Sequence, residues 1–377
     1  MTLEADVAGR TPPLGCPYRS FNDWSRGTVR AVVQDASRHR TEGTISVRRS
    51  ITVIRKVEAT LLSLVLCAGV VLLVQSTASA GTKSSIEQIQ AELEGAIRLT
   101  SLPKNVTPPS SQWSNLWKND FGAVATGGGD STCWTQDENA SALATCTFGD
   151  HSASKTLVLT GDSQAWQWEP SFDVWGRSHG WRVIVLAKGS CQPWPDPQEE
   201  YWNRSSFPAC RAFQAKVVKY INSSRPRIVV AAGLVPVIPK ISITRVKSDV
   251  TSFVNSVEPS GAKVLIASPT PALVNYDYAT HSSLSAPTCL MIHSQNIGVC
   301  NGITESNLID YWMNEAINVG PLPRGSHLLD LSQLLCNVRC PMMASNILIY
   351  IDNEHVSYGW AVHVAPALGE LLAPYLS

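Results

Sequence analysis

Two short motifs bring together the three side chains that an activated serine requires. Ser163 ends a Gly-Asp-Ser sequence that directly follows an apolar run at 156–160. Asp352 and His355 stand three residues apart, just after a second apolar run at 347–351. A serine hydroxyl becomes an effective nucleophile when an imidazole takes its proton and a carboxylate holds that imidazole in the right tautomer. The motifs therefore predict Ser163 as nucleophile, His355 as general base and then acid, and Asp352 as the group that orients His355.

Each motif alone also has a simpler interpretation. Gly and Asp are common turn residues, so Ser163 could be an ordinary turn serine. Asp352 could be only a turn cap, and His355 could be a solvated or helix-capping histidine. Position favours catalysis, because both motifs follow predicted strands, and α/β proteins place their sites at strand ends.

The elements that must position these residues alternate between strands and helices from about residue 155. Short, continuous apolar runs predict strands at 156–160, 181–187, 227–232, 263–267 and 347–351. Runs of this kind are typical of parallel strands that are covered on both faces. Helices are predicted at 164–178, 208–224, 245–257, 304–317 and 357–373. The alternation indicates an α/β fold with a doubly wound, mainly parallel five-stranded sheet and helices on both faces.

The N-terminal 80 residues predict export. Residues 1–56 are rich in Arg and Thr and show no core pattern, so we predict a disordered leader, or a true start of the protein near Val53. Residues 57–80 contain an uncharged apolar stretch at 59–74, with basic residues before it and Ala78-Ser79-Ala80 after it. This arrangement is typical of a secretory signal peptide, with an uncleaved signal anchor as the alternative.

The rest of the chain is predicted to form a stem at 81–125 and a catalytic domain at 126–377. The formal charge is +4 over residues 1–80 and −4 over the remainder, so the exported part is mildly acidic. An acidic domain lacks the basic surface that nucleic acid requires, and nucleic acid is therefore excluded as a partner. We predict a protein that is secreted, or anchored in the membrane on its extracytoplasmic side, in a bacterial cell envelope.

The order of the motifs, Gly-Asp-Ser early and Asp-x-x-His-x-Ser late, resembles the SGNH (GDSL-like) hydrolase superfamily. More narrowly, it is similar to the SGNH domain fused to many bacterial acyltransferase-3 membrane proteins. The stretches that carry the resemblance lie at 157–165, 168–170, 180–183, 188–191, 210–213, 225–230 and 350–357. The resemblance covers about residues 100–377 and implies a flavodoxin-like three-layer sandwich. It also implies a serine esterase or O-acyltransferase acting on short acyl esters, often acetyl, of cell-envelope or extracellular glycans.

The resemblance leaves the reaction and the partners open. Hydrolysis and acyl transfer differ only in the nucleophile that reaches the acyl-enzyme. The substrate is expected to be a glycan or an acylated small molecule, and neither a cofactor nor a metal is expected. The fused relatives carry many membrane spans, whereas this chain has one apolar segment at most, so a separate membrane acyltransferase is a candidate partner. A non-catalytic domain that binds a glycan or a partner protein is the alternative function.

The oxyanion donors usual in the family are only partly present. These donors are the serine N–H, a glycine after the second strand and an asparagine in a G-x-N-D block. Ser163 and Gly189 fit the first two, but Gly233-Leu234-Val235 stands where the asparagine is expected. Gln164 replaces the histidine usual after Gly-Asp-Ser in the fused domains, and its amide is either a donor near Ser163 or a solvated residue at a helix start.

Eight cysteines follow the predicted signal segment, at Cys133, Cys146, Cys191, Cys210, Cys289, Cys300, Cys336 and Cys340. An even number of cysteines in an exported domain indicates disulfides. Proximity in the sequence, together with the local pairing that the resemblance favours, suggests the pairs 133–146, 191–210, 289–300 and 336–340. A metal site is disfavoured because the sequence has no C-x-x-C pair and no His cluster at ligand spacing.

Six clustered tryptophans allow two interpretations; they are Trp166, Trp168, Trp175, Trp181, Trp194 and Trp202. Core packing is favoured for the group, and the alternative is a platform on which a sugar stacks at the mouth of the site. Trp194, in a loop with Pro and Asp, is the preferred platform residue, and Trp202, Tyr276 and Tyr278 are further candidates. The polar loops at 191–208 and 270–300 and the lack of an evident apolar lid predict a preference for short acyl chains.

Overall fold

The computed structural model describes residues 84–122, 133–135, 140–195, 207–233, 243–271, 284–303 and 322–377. The predicted leader and signal segment, the end of the predicted stem and the predicted helix at 304–317 lie outside these ranges. No helix within the described ranges is long and apolar enough to span a membrane.

The strands are β1 (Trp134–Thr135), β2 (Cys146–Gly149), β3 (Thr156–Gly161), β4 (Arg182–Lys188), β5 (Ile228–Ala232), β6 (Lys263–Ala267), β7 (Gly302–Ile303), β8 (Ser326–Leu329), β9 (Arg339–Cys340), β10 (Met343–Ala344) and β11 (Ile347–Leu348). The α-helices are α1 (Ser85–Ile97), α2 (Leu116–Asn119), α3 (Ser163–Trp166), α4 (Glu169–His179), α5 (Phe207–Ser224), α6 (Ile243–Val257), α7 (Ala286–Ile292), α8 (Tyr358–His363) and α9 (Ala365–Leu372). Short 3₁₀ segments occur at Ser110–Asn115, Glu258–Ser260, Ile297–Cys300, Leu331–Leu334 and Ala373–Tyr375.

The main sheet, as far as the described residues show it, has seven strands in the order β1-β4-β3-β5-β6-β8, with β2 also paired to β4. Every pair is parallel except β2 with β4. The strand order reverses at β3, because β4 lies on one side of it and β5 on the other. Open α/β sheets bind ligands outside the carboxyl ends of their strands at such a switch point.

Alternate residues of the central strands face two separate hydrophobic cores. Leu157 and Leu159 of β3 belong to one core, which also contains buried residues of α1, α4 and α9. Val158 belongs to the other core, to which α5 and α6 contribute. Both faces of the sheet are therefore covered by helices. The predicted doubly wound, three-layer α/β fold is confirmed, and its sheet is larger than the five strands predicted.

The predicted strand at 347–351 is wrong as a member of the main sheet. Only β11 forms there, and it pairs antiparallel with β10. The outer parallel strand is β8 instead, which lies beside β6. Its sequence, Ser-His-Leu-Leu, has an exposed histidine and a half-buried leucine between two buried residues. It therefore lacks the continuous apolar run on which the prediction was based.

Residues 84–122, which the sequence assigns to a stem, pack into the domain core. Ser84 caps α1 through a capping box with Glu87, and Ile89 and Leu93 on the inner face of α1 are buried. The carboxylate of Glu370 on α9 accepts hydrogen bonds from the first backbone N–H groups of α1, at 2.6 and 3.2 Å. The folded domain therefore begins before residue 126.

The four predicted disulfides are present, joining Cys133 to Cys146, Cys191 to Cys210, Cys289 to Cys300 and Cys336 to Cys340. Each closes a short local loop. The second bond joins the loop after β4, which contains Gly189, to the first turns of α5. It therefore fixes that loop against the helix layer beside the carboxyl end of β4.

Candidate active site

Ser163 lies at the turn where β3 ends and α3 begins. Gly161, the last residue of β3, has a φ of +148°, and a Cβ there would lie 1.6 Å from the carbonyl oxygen of Ala232. Only glycine fits this approach. Asp162 then caps α3, since its Oδ1 accepts a hydrogen bond from the N–H of Gln164 at 2.8 Å. The Gly-Asp-Ser sequence thus turns the chain and presents Ser163 at the carboxyl edge of the sheet.

Asp352 has both of the roles that the sequence left as alternatives. Its Oδ1 accepts hydrogen bonds from the N–H groups of Glu354 and His355, both at 2.8 Å, and so shapes the turn. Its Oδ2 lies 2.8 Å from Nδ1 of His355. The same carboxylate therefore caps the turn and orients the imidazole ring.

The second ring nitrogen of His355 faces the serine. Nε2 of His355 lies 2.8 Å from Oγ of Ser163. Because the Nδ1–H of His355 donates a hydrogen bond to the Asp352 carboxylate, the neutral ring has its lone pair on Nε2, facing the serine hydroxyl. His355 is buried, with 4 % of its surface exposed. This is the geometry that general-base activation of a serine requires.

The charges around the pair favour a protonated imidazole. Burial acts to lower the pKa of His355, but the charge and hydrogen bond of Asp352, with smaller effects of Glu354 and Asp162, raise it to about 9. Burial acts to raise the pKa of Asp352, but the charge and hydrogen bonds of His355 and the N–H of Glu354 hold it below its usual value. The site thus stabilises the imidazolium that forms when Ser163 loses its proton.

Two glutamines tie the serine helix to the histidine loop. Oε1 of Gln164 accepts hydrogen bonds from the N–H of Thr270 and from Nε2 of Gln167, at 3.0 and 2.9 Å. Nε2 of Gln164 donates to the carbonyl of Glu354 at 3.3 Å, and Oε1 of Gln167 accepts from the N–H of Val356 at 2.7 Å. Gln164 is buried, so it is not a solvated residue. Its amide braces the site, and the role of oxyanion donor that the sequence suggested stays a prediction.

The loops that flank Ser163 contain the other candidate donors. Gly189 lies in the turn after β4, and Gly233 follows β5. Leu234 and Val235, where the family asparagine is expected, lie outside the described residues. Gly233 packs against Gln192, whose side chain is buried and has no hydrogen-bond partner for Nε2 or Oε1 within the described part of the chain. An amide side chain therefore stands beside Gly233, although it comes from a different loop.

The tryptophans of the cluster are core residues wherever the structure describes them. Trp166, Trp168, Trp175 and Trp181 are buried in the core that faces α4. Trp194 is completely buried in the other core, so its predicted role as a sugar platform is wrong. The remaining stacking candidates, Trp202, Tyr276 and Tyr278, lie outside the described residues.

An aromatic wall, Trp117 and Phe121, packs against the histidine, and the sequence analysis missed it. The ring centroids of Trp117 and His355 are 4.6 Å apart, and those of Phe121 and His355 are 5.3 Å apart. Trp117 keeps 42 % of its surface exposed, whereas Phe121 is buried. The signal was present in the sequence, because Trp113, Leu116, Trp117 and Phe121 recur at helical spacing.

Asp120, between the two aromatic residues of the wall, is a buried acid outside the serine–histidine–aspartate set. Burial raises its pKa to about 7, against a hydrogen bond from the backbone of Tyr358. The folded protein favours the neutral form of Asp120. The contribution of this acid to the free energy of unfolding is therefore complete below its unfolded pKa and is lost as the pH rises through about 7. We expect Asp120→Asn to remove this loss, so that its unfolding temperature increasingly exceeds that of the wild type between pH 4 and pH 8.

The control for this experiment is Asp150→Asn, at a partly exposed acid whose pKa is lowered by hydrogen bonds from Ser152. The Asp150→Asn variant should show no gain in unfolding temperature over the wild type as the pH rises. If Asp120→Asn and the wild type lost stability in parallel between pH 4 and pH 8, Asp120 would not be a neutral buried acid.

No group of His, Cys, Asp and Glu side chains in the described ranges has the composition to hold a metal ion. The contacts from Asp352 through His355 to Ser163, beside the carboxyl end of β3, have the geometry that is typical of serine hydrolases. The family model for the SGNH domain fused to AT3 domains matches residues 132–370. The match covers more than half of the chain, and the protein belongs to this family.

Solved structures of low sequence identity are also similar. The periplasmic domain of a lipopolysaccharide acetyltransferase from Salmonella ser. Paratyphi A is 12 % identical, with a TM-score of 0.45 over 57 % of this chain and 82 % of that one. An acetyl-xylooligosaccharide esterase from Geobacillus is 10 % identical, with a TM-score of 0.32 over 60 % and 97 %. A protein described as an SGNH hydrolase from Slackia heliotrinireducens is 15 % identical, with a TM-score of 0.36 over 58 % and 98 %. No curated protein sequence matches the chain.

Proposed function

We propose that this protein is an exported esterase or O-acyltransferase that acts on short acyl esters, acetyl above all, of cell-envelope or extracellular glycans. The observation that carries the proposal is the unbroken chain of contacts from Asp352 through His355 to Ser163, with both distances at 2.8 Å. Membership of the SGNH family supports hydrolysis or acyl transfer as the class of reaction. Four disulfides support an extracytoplasmic location, because such bonds persist in oxidising compartments.

In the proposed reaction, Oγ of Ser163 attacks the ester carbonyl carbon while Nε2 of His355 takes the hydroxyl proton. The tetrahedral intermediate collapses, the bond to the alcohol oxygen breaks, and His355 returns the proton to that oxygen. An acyl group then remains on Ser163. The oxygen of water or of a sugar hydroxyl attacks the acyl carbon and gives its proton to His355. The bond from the acyl carbon to Oγ of Ser163 then breaks and releases the acid or the new ester. The proton then returns to Ser163.

The oxyanion of the intermediate needs donors, and removing one typically costs roughly 10²–10³ in rate. The proposal uses the N–H of Ser163, at the start of α3, and the N–H of Gly189, in the loop after β4. The disulfide between Cys191 and Cys210 supports the second donor, because it holds the loop of Gly189 against α5.

The chain length of the acyl group tests the substrate class. We expect 4-nitrophenyl acetate and propionate to be turned over faster than octanoate or dodecanoate, and an O-acetylated glycan such as acetylated xylan to release acetate. A long chain would need a deep apolar groove, since each buried methylene stabilises binding by only ~0.8 kcal/mol and only when it is covered. The measurement is kcat/KM across the C2–C12 series.

A rate maximum at C8 or beyond would contradict the proposal and place the protein with lipases. Inactivity on every ester, with binding to the glycan retained, would favour the alternative of a non-catalytic glycan-binding domain. Adding a free sugar acceptor separates transfer from hydrolysis, because a transferase then forms a new sugar ester at the expense of free acetate.

A further inference from the structure

The exposed part of Trp117 has no role in the proposed reaction as described above. Trp117 is the member of the aromatic wall with solvent access, and its ring borders that of His355, whereas Phe121 is buried. Trp117, with 42 % of the residue exposed directly beside the proposed general base, is accessible to a substrate. Trp117 comes from the segment before β1, so the motifs that follow the strands do not indicate that it lies at the site.

The ring of Trp117 is held firmly from behind. It packs on Phe121 with ring centroids 4.5 Å apart, and Phe121 in turn packs on Trp134 at 5.9 Å. Gly122 ends the segment at a φ of +54°, where a Cβ would lie 2.4 Å from Nε1 of the buried Trp166. The carbonyl of Asp120 accepts a hydrogen bond from the N–H of Tyr358 at 3.0 Å, which joins the segment to the histidine loop. Trp117 is therefore a fixed surface.

The position of Trp117 determines which part of an ester it meets. His355 must give its proton to the alcohol oxygen of the ester, so that oxygen has to lie within hydrogen-bond reach of Nε2. The carbonyl oxygen faces the N–H groups of Ser163 and Gly189 instead. The group attached to the alcohol oxygen therefore lies next to His355, the residue whose ring Trp117 contacts.

We propose that Trp117 forms the alcohol-side subsite, on which a pyranose ring stacks while its ester or its free hydroxyl faces His355. The C–H face of a pyranose is apolar and suits the electron-rich face of an indole. The subsite serves a leaving sugar in hydrolysis and an acceptor sugar in transfer alike, because both bind through the same oxygen. This inference rests on the proposed function, whose ester chemistry it refines.

The test compares two acetates whose alcohol parts differ, a mono-O-acetylated methyl hexopyranoside and ethyl acetate. We expect Trp117→Ala to lower the ratio of kcat/KM for the pyranoside over ethyl acetate by about 10-fold, as the loss of one aromatic contact and its covered area would do. Trp117→Phe should keep part of the ratio. Val338→Ala, at an exposed apolar residue of the loop closed by Cys336 and Cys340, should keep the ratio unchanged.

Equal losses on both esters would overturn the inference, since Trp117 would then act only by holding His355. An unchanged ratio would overturn it as well. A wild type that neither hydrolyses these esters nor transfers their acetyl group to a sugar acceptor would refute the proposed function and leave the subsite to be decided by binding. In that case, calorimetry measures the affinity for the pyranoside ester of two inactive proteins. One is Ser163→Ala, and the other is the double variant Ser163→Ala, Trp117→Ala. Weaker binding to the double variant supports the subsite, and equal binding refutes it.

Discussion

Ser163→Ala and His355→Ala are each expected to lower kcat for 4-nitrophenyl acetate by roughly 10⁴-fold or more, because the hydroxyl and the imidazole act as one unit. The two side chains are 2.8 Å apart, so losing either one ends proton transfer from the nucleophile. For the same reason the double variant should be little slower than either single variant. Steady-state kinetics of the three variants, with circular dichroism to verify folding, makes the comparison.

The chain contains a matched control for this pair. Oγ of Ser178 lies 2.9 Å from Nδ1 of His179, so a second serine and histidine are in contact on α4. Nδ1 of His179 also lies 2.9 Å from the carbonyl of Trp175, to which it must donate, and it cannot then act as a base. Ser178→Ala and His179→Ala should therefore leave turnover unchanged. A Ser163→Ala variant that kept most of its activity would show that another residue is the nucleophile.

Asp352→Asn is expected to lower kcat by roughly 10⁴-fold with the turn intact, because the amide favours the wrong tautomer of His355. It should also move the pH profile. In the wild type Asp352 raises the pKa of His355, and the base form that attacks Ser163 accumulates as the pH rises. We therefore expect the acid limb of kcat/KM to lie above the usual pKa of histidine. Asparagine removes the charge and should shift that limb to lower pH.

Asp330→Asn is the control for the structural part of this change. Asp330 also caps a short helix, with its Oδ1 accepting from the N–H of Ser332 at 3.2 Å, and it has no histidine among its hydrogen-bond partners. It should leave the pH profile in place. If Asp352→Asn kept the acid limb where the wild type has it, Asp352 would be a turn cap alone.

The sequence predicts the central sheet well because each inner strand has a local signal. β3, β4, β5 and β6 are covered on both faces and therefore consist of continuous apolar runs. β8 escapes detection because an outer strand does not need such a run. The position of Ser163 is foreseeable for a related reason, since it follows the carboxyl end of β3, where open α/β sheets place their sites. His355 instead follows β11, which is outside the main sheet, so its contact with Ser163 does not follow from the strand pattern.

The surroundings of the site are less predictable because they depend on contacts between distant segments. Trp194 has the polar neighbours of an exposed loop residue, yet the fold buries it between the sheet and α5. Trp117 lies in a segment rich in Pro and Ser that suggests a stem, yet it reaches His355. The bonds from Gln164 to Thr270 and Glu354 join residues about 100 and 190 positions apart, which no local pattern encodes.

Labelling with a fluorophosphonate probe, followed by peptide mapping, is the most direct measurement of the central claim. The probe reacts with serines whose hydroxyl is activated, and Ser178 with its neighbouring His179 provides an internal comparison within the same protein. The structure predicts a single modified residue, Ser163, whose labelling is lost in His355→Ala. An unlabelled Ser163 in the folded wild-type protein, or labelling of Ser178 at the same rate, would contradict an activated serine at this site.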